Sequence, residues 1–283
     1  MAITLPSTAI LGAGSMGGAI LSGLLRPDVV VDGGIRVTNR TESKAVALRH
    51  GGVTSLATEI DPRANASAVA GARLVLIGVK PHMVVDLLRE IGPVLDADAV
   101  VVSLAAGVTT ATMEAALPDS VSVLRSMPNT PSVVGLGVTG LSAGSRSSDD
   151  DLALARALFE VVGDVVVVDE GRIDALSTIS GSGPAYVFYL IERLQEAAVG
   201  LGFTAAQAAT MVQGTFRGAS GLLAASDLLP ADEAPAELRR RVTSPGGTTE
   251  RAVAVLAEGG LTELFDRATA AALERNREIA AQG

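Results

Sequence analysis

The stretch Gly12-Ala13-Gly14-Ser15-Met16-Gly17 decides how this chain folds. It follows the short apolar run 9–11, which reads as a strand, and opens residues 16–25, which read as a helix. The first glycine of a G-x-G-x-x-G turn permits the tight bend. The second lets backbone approach a pyrophosphate, and the third lets helix pack on strand. The helix start then offers unpaired N–H groups to phosphate. The chain has 31 Gly in 283 residues, so the pattern carries little weight alone. Its placement at the first strand-to-helix turn is what makes it informative.

Working outward, β-branched runs alternate with helical stretches as far as residue 168. Strands are expected at 35–38, 74–79, 100–104, 121–124, 138–141 and 165–168. Helices are expected at 42–49, 83–90, 110–117 and 150–159. Strands alternating with helices imply a parallel, doubly wound sheet. After Asp169 the strands stop, and the rest is rich in Ala and Leu at helical spacing. Helices are expected at 173–179, 185–201, 204–225, 235–242, 248–258 and 261–281, with a break at Gly181-Ser182-Gly183-Pro184 and a loop at 227–235. The expected fold is therefore α/β: a Rossmann-like doubly wound sheet followed by an all-α C-terminal domain. Residues 1–169 form the dinucleotide-binding part and 170–283 the helical part. A helical domain this rich in Ala has a thin core of its own, so it is expected to serve for dimerisation.

Composition excludes several kinds of chemistry. There is no Cys, and the two His (His50, His82) and two Lys (Lys44, Lys80) all lie in the first 82 positions. Disulfides, thiolate–metal sites and Cys nucleophiles are excluded, and no metal is expected. No mechanism can use a His or Lys of the second half. A net charge of −9 opposes general nucleic-acid binding. The start Met-Ala-Ile-Thr-Leu-Pro is unlike a signal peptide, and apolar stretches such as 99–106 are too short to span a membrane. A cytoplasmic protein is expected.

The end of the second strand bears on the cofactor. An NAD enzyme usually carries Asp or Glu there, whereas this chain has Thr38-Asn39-Arg40-Thr41. Arg40 is either a solvated surface residue or the partner of a 2′-phosphate, and the second reading favours NADP. Lys80-Pro81 follows the 74–79 strand, Ser103-Leu104-Ala105-Ala106-Gly107 ends the next, and Arg125-Ser126-Met127-Pro128-Asn129 ends another. Their common place at strand C-termini points to one cofactor cleft.

A second motif, Ser244-Pro245-Gly246-Gly247-Thr248-Thr249, precedes a helix. Two hydroxyls beyond the serine, bare backbone N–H groups and a helix start suit a carboxylate. An N-cap with a flexible turn explains the residues equally well.

Across nearly its whole length the chain resembles the pyrroline-5-carboxylate reductases. The resemblance rests on residues 10–16, Val79-Lys80-Pro81-His82, 103–108, 127–131, 173–186 and 242–249. Gly181-Ser182-Gly183-Pro184-Ala185-Tyr186 together with the 244–249 stretch is the most specific part. The resemblance implies NAD(P)H-dependent reduction of 1-pyrroline-5-carboxylate to L-proline, and a helical domain that interlocks with a second subunit. It assigns Ser244, Gly246, Gly247 and Thr248 to the substrate carboxylate and Thr249 to the ring nitrogen. It adds Asn65 to the cofactor residues already read from the glycine turn and the strand ends, which are Gly12, Gly14, Ser15, Met16, Asn39, Arg40, Lys80, Pro81, Ala105, Ala106, Gly107 and Asn129. The chain departs from the family in having Ala234 where a His is common, a longer loop at 227–233, and the run Arg239-Arg240-Arg241.

The missing His and Lys bear on this chemistry. Alcohol oxidation needs a base, usually His or Lys. A protonated cyclic imine is already an electrophile, so its reduction needs chiefly alignment and a grip on the carboxylate. The composition therefore agrees with imine reduction. Alternatives are a reductase of a related cyclic imine or keto acid, and a non-catalytic NADP-sensing protein.

Overall fold

The computed structural model describes residues 3–49, 51–225, 230 and 232–282. It divides into two compact units, residues 1–182 with 272–283, and residues 183–271.

The first unit runs β1 (Ile3–Leu5), β2 (Thr8–Leu11), α1 (Ser15–Leu24), β3 (Val29–Val31), β4 (Ile35–Asn39), α2 (Glu42–Ala47), β5 (Val53–Ala57), α3 (Ala64–Val69), β6 (Leu74–Ile77), α4 (Val84–Ile91) and β7 (Val100–Ser103). It continues with α5 (Thr110–Glu114), β8 (Ser122–Met127), β9 (Gly137–Ala143), α6 (Asp149–Glu160), β10 (Gly163–Val167) and α7 (Ile173–Leu176). Eight strands form one sheet in the order β10-β9-β8-β7-β6-β2-β4-β5. The chain starts in the middle at β2, builds outward through β4 and β5, then returns to β6 and builds the other way. That reversal opens a crevice beyond the C-terminal ends of β2 and β6.

Side-chain alternation fills both faces. Ile10, Leu76, Val102 and Leu124 join one buried cluster with Ile20, Leu24 and Phe159. Leu11, Ile77, Val101 and Val123 join the other with Leu88, Ile91 and Met113. Burial on both faces is why these strands read as continuous apolar runs.

Three features differ from the sequence expectation. The sheet is parallel except that β8 and β9 pair antiparallel. Only residues 128–136 join them, too few for the crossover that a parallel return needs. Strands β1 and β3 form a separate parallel pair, and β5 and α3 add to the expected elements. Finally, Gly181-Ser182-Gly183-Pro184 does not become a loop. A π-turn over Ser177–Gly181 leads through a helical Ser182 into the next helix. Pro184 falls in that helix's first turn, where its missing N–H leaves no bond unmade.

Polar ties fix the layers. Ser148 and Asp151 form a reciprocal cap on α6. Asp151 also accepts hydrogen bonds from Ser122 and Arg73. Burial raises its pKa, but these donors outweigh that and hold it down at about 2.

The second unit contains α8 (Gly183–Gly200), α9 (Ala205–Ala224), α10 (Ala234–Arg241), α11 (Thr248–Glu258) and the first half of α12 (Leu261–Gln282). Gly202, with φ +96°, closes α8, and Thr204 caps α9 reciprocally with Gln207. Of the loop expected at 227–235, residues 227–229 and 231 lie outside the described residues, and α10 already begins at Ala234. Arg240 and Arg241 fold back on Glu237 at 2.7 and 2.8 Å and hold its carboxyl down at about 2. Among the described residues of this unit only Ala208, Val212 and Ala234 are buried. Phe188, Leu190, Leu194, Leu256 and Leu264 stay exposed.

Among the described residues, no helix is long and apolar enough to cross a membrane, and no cluster of His, Cys, Asp and Glu suits a metal ion.

Candidate functional site

The crevice between β2 and β6 is built on two glycines placed back to back. Gly12 follows β2 with φ +86°, a conformation that glycine reaches without steric cost. A Cβ on Gly12 would stand 3.0 Å from the Gly78 carbonyl, and one on Gly78 would stand 2.5 Å from the Gly12 oxygen. The bend is held by Gly12 N–H donating to Thr38 O at 3.0 Å and Gly78 N–H donating to Leu11 O at 2.7 Å. Gly17 lets α1 settle on β2, since a Cβ there would meet Gly12 O at 3.1 Å and Ile10 at 3.2 Å. Gly78 is a member of this turn that motif reading missed. Its signal was a lone glycine directly after a buried apolar strand.

Gly14 behaves differently. A Cβ there would meet nothing within 4 Å, and no side chain caps α1. The space over Gly14, exposed Ser15 and half-buried Met16 is open, and first-turn N–H groups have no partner inside a helix. This is the arrangement a pyrophosphate needs.

A cleft of about 400 Å³ continues from Gly12, and its wall includes Thr38, Asn39, Arg40, Thr58, Asn65, Val79, His82 and Glu90. Four of the expected cofactor residues, Gly12, Asn39, Arg40 and Asn65, are thereby brought together. Asn39 is buried and its Nδ2 has no hydrogen-bond partner. A buried donor without an acceptor is costly unless something fills the role. Arg40 is exposed and makes no ion pair among the described residues. Thr38 Oγ1 donates to Asn65 Oδ1 at 2.8 Å, and Asn65 Nδ2 donates to Glu90 at 3.4 Å. The open space at Gly14, the orphan donor of Asn39 and the free cation of Arg40 fit a dinucleotide.

The remaining expected residues lie at neighbouring strand ends, outside that cleft's wall. Lys80 and Pro81 are exposed where a 3-10 turn leads from β6 to α4. Ala105 is buried after β7 with its N–H on Ser103 Oγ at 3.1 Å, and Gly107 turns with φ +77°. Asn129 is buried and its carboxamide is engaged by backbone. Its Nδ2 donates to Ser180 O at 2.9 Å, and its Oδ1 accepts from Val138 N–H at 2.8 Å.

A buried charge group nearby was not legible in the sequence. Arg125, on β8, pairs with Asp174 at 2.6 Å and approaches Glu170 at 3.8 Å. Glu170 also accepts from Thr110 N–H and Oγ1 at 2.7 Å, and Asn276 donates to Ser177 Oγ at 2.8 Å and to Asp174 O. These ties anchor the 170–177 segment and the end of α12 to the sheet.

In the second unit, residues 244–249 form an exposed turn into α11. Gly246 has φ +72°, Gly247 is the N-cap residue of α11, and no side chain supplies the cap. Gly247 N–H donates to Ser244 O at 3.0 Å, and Gly246 N–H donates to the Glu250 carboxylate at 2.8 Å. A carboxylate already sits on this loop's backbone, so the geometry accepts that group. A Cβ on Gly247 would stand 2.9 Å from the Ser244 backbone oxygen as well as against its hydroxyl, which favours the second glycine. Thr248 and Thr249 are exposed on the first turn.

Comparison with known proteins agrees with both parts. Residues 170–279 match the family described as pyrroline-5-carboxylate reductase dimerisation, and residues 7–107 match that described as NADP oxidoreductase, coenzyme F420-dependent. The chain is 38% identical to a pyrroline-5-carboxylate reductase of Corynebacterium melassecola, covering 96% of this chain and 97% of the relative. It is 35% identical to that of Pseudomonas aeruginosa, covering 98% of each. The solved pyrroline-5-carboxylate reductase of Coxiella burnetii superimposes with a TM-score of 0.86 at 36% identity, covering 96% of this chain and 97% of that one. With a dinucleotide turn at one end, a carboxylate-accepting loop at the other and near-complete coverage by these relatives, the chain belongs to the pyrroline-5-carboxylate reductase family.

Proposed function

We propose that this chain reduces 1-pyrroline-5-carboxylate to L-proline, the last step of proline synthesis, using NADPH in preference to NADH. Near full-length similarity to reductases of that name carries the reading. The cofactor supplies a hydride for the imine carbon when bound. The chain's own task is to hold the two reactants. Gly12, Gly14, Ser15 and Met16 take the pyrophosphate on backbone N–H groups. Asn39, Arg40 and Asn65 take the adenosine end, with Arg40 on the 2′-phosphate. Lys80, Pro81, Ala105, Ala106, Gly107 and Asn129 border the nicotinamide half, where small side chains leave room for the ring.

Ser244, Gly246, Gly247 and Thr248 hold the substrate carboxylate, and the Thr249 hydroxyl hydrogen-bonds the ring nitrogen. Proton delivery by a strong acid is unnecessary, because the amine formed takes its proton from water. The absence of His and Lys beyond residue 82 agrees with that. The protein works in the cytoplasm as a homo-oligomer, at least a dimer, assembled through the helical part taken as 170–283, with 1–169 carrying the cofactor.

The test is a steady-state assay with 1-pyrroline-5-carboxylate and each reduced nucleotide. Substrate-dependent NADPH oxidation is expected, and Thr249→Ala should lower kcat while leaving NADPH binding within about twofold, since a residue that acts on the reacting centre shows in kcat. Well-folded protein that turns over only a six-membered cyclic imine, or nothing, would refute the assignment.

A further inference from the structure

Beside the adenosine end of the cleft, next to its cation, stands an acidic residue. Strand β5 ends beside β4, and the two are laced by Thr58 N–H donating to Asn39 O at 2.9 Å and Glu59 N–H donating to Arg40 O at 3.0 Å. Glu59 is therefore fixed next to Arg40 through the backbone. Its carboxylate accepts a hydrogen bond from Glu42 N–H at 2.6 Å, which ties it to the 39–42 turn that borders the cleft. The other carboxylate of that turn, Glu42, is neutralised by both Nη atoms of Arg49 at 2.7 and 3.0 Å. Glu59 has no such partner among the described residues. The opposite wall adds Asp86 and Glu90. A phosphate arriving at Arg40 and the orphan Nδ2 of Asn39 thus meets an uncompensated negative charge alongside them.

We propose that Glu59 is a specificity-determining residue that limits discrimination in favour of the 2′-phosphorylated cofactor. The inference rests on the reading of the 39–42 turn as the place of the 2′-phosphate. Repulsion acts on the phosphate alone, so it lowers affinity for NADPH and leaves NADH, which has a hydroxyl there, nearly untouched.

The experiment uses the whole protein and two adenosine fragments, adenosine 2′,5′-bisphosphate and 5′-AMP, measured by calorimetry beside the NADPH-to-NADH ratio of kcat/KM. Glu59→Gln keeps an oxygen for the Glu42 N–H and removes the charge. Binding of the bisphosphate should tighten roughly three- to tenfold, as expected for one partly solvated charge a few ångströms away, and AMP should change less than about twofold. The gain should shrink at about 0.5 M salt, where the screening length falls to roughly 4 Å. Glu59→Asp keeps the charge and should show no gain. Equal shifts for both ligands, or no shift, in Glu59→Gln overturn the proposal. Arg40→Ala separates the two ideas: lost discrimination there with an inert Glu59→Gln leaves the Arg40 reading and sinks this one. Unchanged discrimination in Arg40→Ala with a gain in Glu59→Gln does the reverse.

Discussion

In the first unit every residue of β2, β6 and β7 is buried, and helices and loops cover both faces of the sheet. In the second, α8 spans eighteen residues without burying one, and most of its Phe, Leu and Val side chains face outward. Both units are built from apolar sequence, yet only the first encloses its own core. The second is one side of a core, in keeping with its match to a dimerisation family. Apolar residues displayed along whole helices mark an association surface, since monomers seldom leave such patches bare.

The contrast breaks most visibly at Phe188, which is 62% exposed on α8. Phe188→Asp touches little within the chain, so it should leave the near-native spectrum of the monomer intact. A charge in the middle of an apolar contact should weaken association by at least about a hundredfold, comparable to loss of a hot-spot aromatic. Analytical ultracentrifugation over a dilution series reads this directly. An unchanged oligomer would show that this face of α8 is free.

In the first unit the sensitive change is far smaller. Gly78→Ala adds one methyl, but it meets the Gly12 oxygen, a backbone atom pinned on both sides. Overpacking of this kind costs about 1–3 kcal/mol, and it should also open the glycine turn and weaken NADPH binding. Gly18→Ala in α1 is the matched control. A Cβ there meets nothing within 4 Å, so stability should hold or rise. Denaturant unfolding of the two variants decides it, and equal stabilities would refute the back-to-back packing.

The same contrast governs what the sequence could reveal. Strands buried on both faces announce themselves, as Leu74-Val75-Leu76-Ile77 does, and the strand-end rule then locates the cofactor cleft. Val29-Val30-Val31 escaped because a three-residue edge pair leaves no periodicity. β9 could be read as a strand but not as an antiparallel one, because direction depends on the length of its connection. Gly181-Ser182-Gly183-Pro184 looked like a break because propensity opposes a helix there, whereas a π-turn ending at Gly181 hands the chain through Ser182 to α8, whose first turn takes Gly183 and Pro184. Glu90 reached the cleft wall, Glu59 reached Arg40, and Asp174 reached Arg125, through chain crossings that no local pattern records. The residues 244–249 alone read equally well as a capped turn or as a carboxylate grip, and only the resemblance to the family separated the two.

That loop supplies the smallest test. Gly246 sits at φ +72° with open space where a Cβ would go, so Gly246→Ala costs only backbone conformation, about 1–2 kcal/mol. In a buried turn this would lower the melting temperature of the whole protein. Here the loop is exposed and its neighbours are few, so the alanine can relax by letting the turn reopen while the helices stay folded. The melting temperature should therefore move little, and the loss should appear where the turn is used. If these N–H groups hold the substrate carboxylate, KM for 1-pyrroline-5-carboxylate should rise about tenfold, the equivalent of about 1.4 kcal/mol, with KM for NADPH unchanged. A parallel rise in both constants would assign the turn to the architecture of the unit instead of to the substrate.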